Sequence, residues 1–230
     1  MELWSPAHLA AVAASALAAA LLVAGARRGG EAFTVPAARA LAVVLVAAFA
    51  GEQLAYALRG EWSAEVNLPF QLTDAVTLVG AAALWTRAQL LVELTYFWAL
   101  SASLQTVITP DLGQDFPDVR YFTYFASHSG AVAAACLLVF GAGQVPRRDA
   151  VGRTYAITAA FAACAAIATV ATGGNYMFLR RKPVHGSLLD VMGRWPVYIL
   201  AGAVLALGLF AALAALARAL RASPPAASAG

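Results

Sequence analysis

The chain has 230 residues, 62% hydrophobic and 12% charged, with a mean hydropathy of +0.74. That much apolar side chain excludes a soluble globular domain, which could not hide it and still present a polar surface. The net charge of +3 gives no reason to expect nucleic acid as a partner, and continuous apolar runs without alternation exclude a β-barrel.

An all-α, polytopic membrane helical bundle is the class that fits. Apolar stretches of about 20 residues recur, the length that crosses about 30 Å of hydrocarbon at about 1.5 Å per residue. Seven transmembrane helices are expected, at roughly 7–26, 37–57, 66–85, 88–108, 120–143, 151–172 and 195–217. Residues 1–221 then form a single transmembrane domain, and the Pro/Ala/Ser-rich tail 222–230 has the composition of a disordered segment. Lys182 is the only lysine, and the Ala/Leu/Val/Gly richness suits a high-GC bacterial genome. The expected location is therefore a bacterial inner membrane.

The first span has no basic region before it and is followed by Arg27 and Arg28. This favours an uncleaved helix with its N-terminus outside. Seven spans then divide the 15 basic residues with the majority inside. Against that trend, Arg180, Arg181 and Lys182 follow the sixth span on the outer side. They read either as a solvated loop or as a patch for the phosphate of an anionic phospholipid, with Tyr176 and Phe178 as interface anchors.

The second and third spans carry the first chemistry. Glu52 and Gln53 lie in the second. In "VNLPFQLTDAVTLVGAAALW", helical spacing of about 100° per residue puts Asn67, Gln71 and Asp74 on one stripe, continued by Thr77 and Thr73. An ionised Asp at the bilayer centre costs about 2.5–3.5 kcal/mol on insertion scales, so this stripe is expected to face the bundle interior. The fourth span adds Glu93, Gln105 and Thr106. Glu52 and Glu93 are equally readable as interfacial residues or as partners of Arg59 or Arg87, and Gln105 and Thr106 as helix–helix contacts.

The fifth span holds His128 on one stripe with Tyr121, Tyr124 and Phe125. A neutral imidazole there can donate and accept, which suits a general base or proton shuttle. Cys136 and Cys164 sit in apolar runs without disulfide or metal spacing and read as small core residues. After the sixth span, "SLLD" at Ser187–Asp190 has capping-box character and predicts a short interfacial helix ended by Gly193. Neither a metal nor a cofactor is expected, since no motif for either is present.

Several pieces taken together resemble one family. "LPFQLTD", "TPD", "FPDVRYFTYFASHSG", "GGNYMFLRRKP" and "SLLDVMGRWPVYIL" occur in the order of the YwaF-like family of bacterial integral membrane proteins, over roughly residues 45–205. That family resembles a eukaryotic membrane acyltransferase of ether phospholipids. More distantly, it is similar to androgen-induced-type hydrolases that cleave fatty-acid esters with a threonine and a histidine. Many members have His and Cys where this chain has Gln71 and Thr73, so a thiolate nucleophile is not available here.

The resemblance implies a lipid acyl hydrolase or acyltransferase acting on membrane lipids. Thr73 would be the nucleophile, His128 the general base and Asp74 its orienting carboxylate. Asn67 and Gln71 would donate to the oxyanion. Glu52, Glu93, Tyr124, Arg180, Arg181 and Lys182 would line the substrate path. A small-solute or proton-coupled transporter, or a lipid-binding protein without catalysis, would use the same Glu52, Asp74, Glu93 and His128 as relay or substrate groups. No inverted repeat supports that alternative.

Overall fold

A computed structural model describes residues 3–183 and 187–222. His185 and the tail beyond Ala222 lie outside the described residues. Everything described is helix, turn or loop, without a strand.

The first element, α1, is a run of helix from Pro6 to Leu58. Ser5 caps it by accepting from the His8 N–H at 3.3 Å, and Pro6 at the first position loses no hydrogen bond. Gly30 interrupts the run with φ +54° and ψ −143°, a region open to glycine and strained for other residues. The chain folds back there. The Phe33 ring covers Gly25 so closely that a Cβ at Gly25 would collide with it, a contact impossible across eight residues of straight helix.

Five more helices follow. These are α2 (Leu72–Thr86), α3 (Gln89–Ile108), α4 (Val119–Gly141), α5 (Ala150–Thr172) and α6 (Val197–Ala222). α3 contains a π-helical turn at Ala99–Ser103 and α4 ends in another at Leu137–Gly141. Five helices are long and apolar enough to cross a membrane (α1, α3, α4, α5 and α6), and α2 is an apolar helix of 15 residues.

α4 is the centre of the bundle. The arm 6–29 of α1 runs parallel to it: the Tyr121 hydroxyl donates to the Ala7 carbonyl at 2.7 Å, Ser15 and Ser129 share a hydrogen bond of 2.6 Å, and Ala26 lies against Gly141. The arm 31–58 runs the other way. Leu45 meets Gly130, Gly51 meets Thr123, and Arg59 reaches Asp118 at 2.8 Å. Leu45 is fully buried and touches Gly80 of α2 as well as Gly130 of α4. One leucine thus bolts three helices where two glycines let it in.

Two ends follow from this ladder. The N-terminal end carries residues 6–8, 58–72, 108–119, 173–183 and 187–196. The opposite end carries Gly30, the tight α2–α3 turn, the loop 142–149 and the end of α6. The outer faces of α5 and α6 are apolar and uncovered: Val170 is 85% exposed and Val204 72%. Surface of that kind is disfavoured in water and suits hydrocarbon.

The third expected span is shorter than its apolar pattern. Residues 66–71 are loop, and α2 starts only at Leu72. Pro69 is the reason: it has no N–H to donate, and it pushes Leu68 out of the helical region. The expected interfacial helix after Ser187 is present as a 3₁₀ turn, Leu188–Met192. The Asp190 carboxylate accepts from the Ser187 N–H at 2.7 Å, and Gly193 ends the turn at φ +94°.

A polar site at the N-terminal end of the bundle

Asp118 starts α4 by accepting from the Arg120 N–H at 2.8 Å. Its hydrogen bond from Arg59, reinforced by that N–H, holds its carboxyl below the usual range. From there Arg120, Tyr124 and His128 recur at four-residue spacing and share one stripe. The buried Arg120 guanidinium donates to Glu61 at 2.9 Å and lies over the Tyr56 ring at 4.8 Å. The Tyr124 hydroxyl donates to the Thr106 carbonyl at 3.2 Å, and its ring meets His128 edge-on at 4.4 Å.

His128 is 7% exposed, and its Nδ1 is buried without a hydrogen-bond partner among the described residues. The hydroxyl of Ser103, in the π-helical turn of α3, is in the same condition. A buried polar atom left unpaired costs about 1–3 kcal/mol, so each such atom in a native fold asks for a ligand, a water or a chemical role.

Two carboxylates stand beside this stripe. Glu52, on the second arm of α1, is within electrostatic range of Arg120 and of Asp74. Asp74 occupies the first turn of α2, where the positive end of the helix dipole favours an anion. This is the physical reason for an aspartate in an apolar segment: the helix begins there, and the backbone of Gln71 hydrogen-bonds to it.

The expected helical stripe of Asn67, Gln71 and Asp74 is corrected by the late start of α2. Asn67 and Gln71 belong to the loop. The Asn67 side-chain oxygen accepts from the Ser63 N–H and that of Gln71 from the Met177 N–H, both at 2.9 Å. Their amide NH₂ groups make no hydrogen bond among the described residues. Tyr176 is no interface anchor either. It is fully buried, accepting from the Leu68 N–H at 3.1 Å and donating to the Ala64 carbonyl at 2.6 Å.

Thr73 is half-buried, and its hydroxyl has no hydrogen bond among the described residues. Gly80 and Gly130 share Leu45 and so lie level. At about 1.5 Å per residue, Thr73 sits about 10 Å and His128 about 3 Å nearer the N-terminal end. The two are thus about 7 Å apart in depth, more than one α-helical pitch of about 5.4 Å, and no hydrogen bond joins them.

Glu93 stands apart from this group, at the opposite end. Its fully buried carboxylate takes Arg147 through both oxygens, at 2.9 and 3.1 Å, then Arg153 at 3.1 Å and Gln89 at 3.2 Å. Its charge is satisfied by residues that pin the 142–149 loop, and neither Arg59 nor Arg87 is among them.

The basic cluster lies at the N-terminal end. The Asn175 side-chain oxygen accepts from the Arg180 and Arg181 N–H groups, shaping the turn. Arg180 donates to the Gly173 carbonyl at 3.0 Å. Lys182 pairs with Asp190 at 3.8 Å and lies 5.6 Å from the Tyr198 ring. The Met177–Gln71 hydrogen bond ties this loop to the segment leading into Thr73. Arg120, Glu61 and Tyr56 are members of the site that sequence reasoning did not single out. For Arg120, the i, i+4, i+8 spacing with Tyr124 and His128 was the available signal.

Among the described residues no group of three or more His, Cys, Asp or Glu side chains could hold a metal ion. A family model described as the TMEM164 family matches residues 3–214. No curated protein and no solved structure matches the chain. The chain belongs to the TMEM164 family, and it is an integral membrane protein.

Proposed function

We propose that this member of the TMEM164 family is a lipid-modifying enzyme of the acyl hydrolase or acyltransferase class, working at the N-terminal end of a seven-span bundle. Seven crossings are supported by the fold-back at Gly30, which makes two antiparallel arms of α1, and by the apolar α2 between α1 and α3. The resemblance to YwaF-like bacterial membrane proteins supports a bacterial inner membrane. An outer position for the N-terminal end is supported by the excess of arginine at the opposite end.

The observation that carries the catalytic reading is the unpartnered Nδ1 of His128, next to Tyr124 and beneath the Glu52, Asp74 and Arg120 group. In the proposed reaction His128 takes the proton of an attacking hydroxyl, and that oxygen bonds to the carbonyl carbon of a lipid ester. The carbon–oxygen bond to the leaving alcohol then breaks, and His128 returns the proton to it. Thr73 supplies the hydroxyl in a two-step route, and water or an acceptor alcohol supplies it in a direct one. The two-step route requires the gap in depth between Thr73 and His128 to close when substrate binds. The free NH₂ groups of Asn67 and Gln71 face the developing oxyanion.

The test is turnover of a membrane-lipid ester by the reconstituted protein. His128→Ala is expected to lower kcat at least 100-fold, within the range typical of a lost general base. Thr73→Val is expected to abolish turnover in the two-step route and to leave most of it in the direct route. Full activity in His128→Ala overturns the reading.

One observation favours a second reading, a proton-coupled transporter: Glu52 and Asp74 are two carboxyls within electrostatic range of each other. In that reading they share a proton that moves with the solute. Proton-coupled solute uptake that is lost in Asp74→Asn, without ester turnover in the parent, would favour it.

A further inference from the structure

At the end away from the polar site, the first arm of α1 and the last turn of α4 part around an open groove of about 480 Å³. The π-helical turn Leu137–Gly141 shapes it. Because the helix ends at Gly141, the Phe140 carbonyl is among the last ones left without an intrahelical donor, and the Nε of Arg27 donates to it at 2.9 Å. Ala20, Val23 and Ala24 form one wall and the Phe140 side lies across from them, so the groove is apolar along its length. Arg27 and Arg28 close it at the end where α1 folds back.

The charge there is uncompensated. Among the described residues Arg27 bonds only through Nε, leaving both terminal nitrogens of its fork without a partner, and Arg28 makes no hydrogen bond or ion pair. The nearest acidic residue in sequence, Glu31, is engaged by Arg87 at 2.6 Å. An apolar trough ending in two guanidinium groups that have no acidic partner among the described residues matches an amphiphile with an anionic head. Arginine forks hold phosphate oxygens in two parallel bonds, and the volume falls within the roughly 300–1,000 Å³ of small-molecule clefts.

The geometry points to a structural site for one anionic phospholipid of the leaflet opposite the polar site, its phosphate on Arg27 and Arg28 and one acyl chain along Ala20 and Ala24. The site is independent of the catalytic reading and persists if that reading fails.

The experiment counts phosphatidylglycerol retained by the full chain in native mass spectrometry, after exchange into micelles containing phosphatidylglycerol and phosphatidylcholine. The parent is expected to retain one phosphatidylglycerol. Arg27→Gln/Arg28→Gln is expected to lose it, Arg27→Lys/Arg28→Lys to keep it at least in part, and Ala24→Phe, which fills the trough, to lose it with both arginines intact. Arg148→Gln/Arg218→Gln, which neutralises two exposed cations at the same end, is expected to leave it bound. Equal retention in the parent and Arg27→Gln/Arg28→Gln overturns the site. Retention in Ala24→Phe reduces it to headgroup attraction and overturns the groove. Loss in the Arg148/Arg218 control shows general electrostatics and overturns it as well. A dimer in the parent that Ala24→Phe converts to monomer assigns the groove to a second copy and overturns the lipid.

Discussion

Glu93 shows how far a single residue's role depends on partners the local sequence does not name. Its position in an apolar run marks it as costly, and that much is readable. Its partners, Arg147 and Arg153, lie 54 and 60 residues further on, and no pattern near Glu93 points to them. The two arginines are partly exposed, so they can rehydrate when the carboxylate is lost. Glu93→Gln is therefore expected to cost about 1–2 kcal/mol, below the 3–5 kcal/mol of a fully buried pair. The check is the thermal midpoint in detergent, which should fall in Glu93→Gln; an unchanged midpoint would mean that the loop 142–149 is held by other contacts. His128 is the contrasting case. Its type and stripe were visible in the sequence, whereas its unpaired Nδ1 and its depth relative to Thr73 exist only in three dimensions.

Helix identity was readable where apolar runs are long, because hydropathy and length alone decide the matter for α3, α4, α5 and α6. Boundaries were less so. The expected third span began at 66 because its residues are apolar enough, yet Pro69 acts through backbone geometry that a hydropathy window does not register. The turn between the first two spans was expected to occupy about ten residues, and Gly30 makes it nearly alone. Packing between elements depends on Leu45, whose two glycine neighbours lie 35 and 85 positions away in the sequence and so were not recognisable as its partners. Leu45→Ala should open a void where α1, α2 and α4 meet, at a cost of about 2–5 kcal/mol. The expected result is a lower midpoint in the same detergent assay. No change would mean that the three helices close over the gap.

Across the whole molecule, the orientation prediction is the most direct to test. In a background lacking Cys136 and Cys164, Ser5→Cys should react with an impermeant thiol reagent from outside. Ser223→Cys should react only after the membrane is opened. Labelling of Ser223→Cys from outside would refute an odd number of crossings, and failure of Ser5→Cys to react from outside would refute the placement of Arg180 and Arg181 on the outer side.

The shortness of α2 has a consequence for the bilayer itself. Fifteen residues rise about 22 Å, against about 30 Å of hydrocarbon. The shortfall lies at the Asp74 end, where polar loop continues the chain. A layer in contact with so brief an apolar wall thins locally, and its ester region sinks toward the protein. In the proposed lipid-ester reading, the linkage that joins an acyl chain to its glycerol would then descend to the level of Thr73 while the lipid stays in its own leaflet. In that reading a substrate would slide in sideways, and the membrane would have brought the bond to the protein.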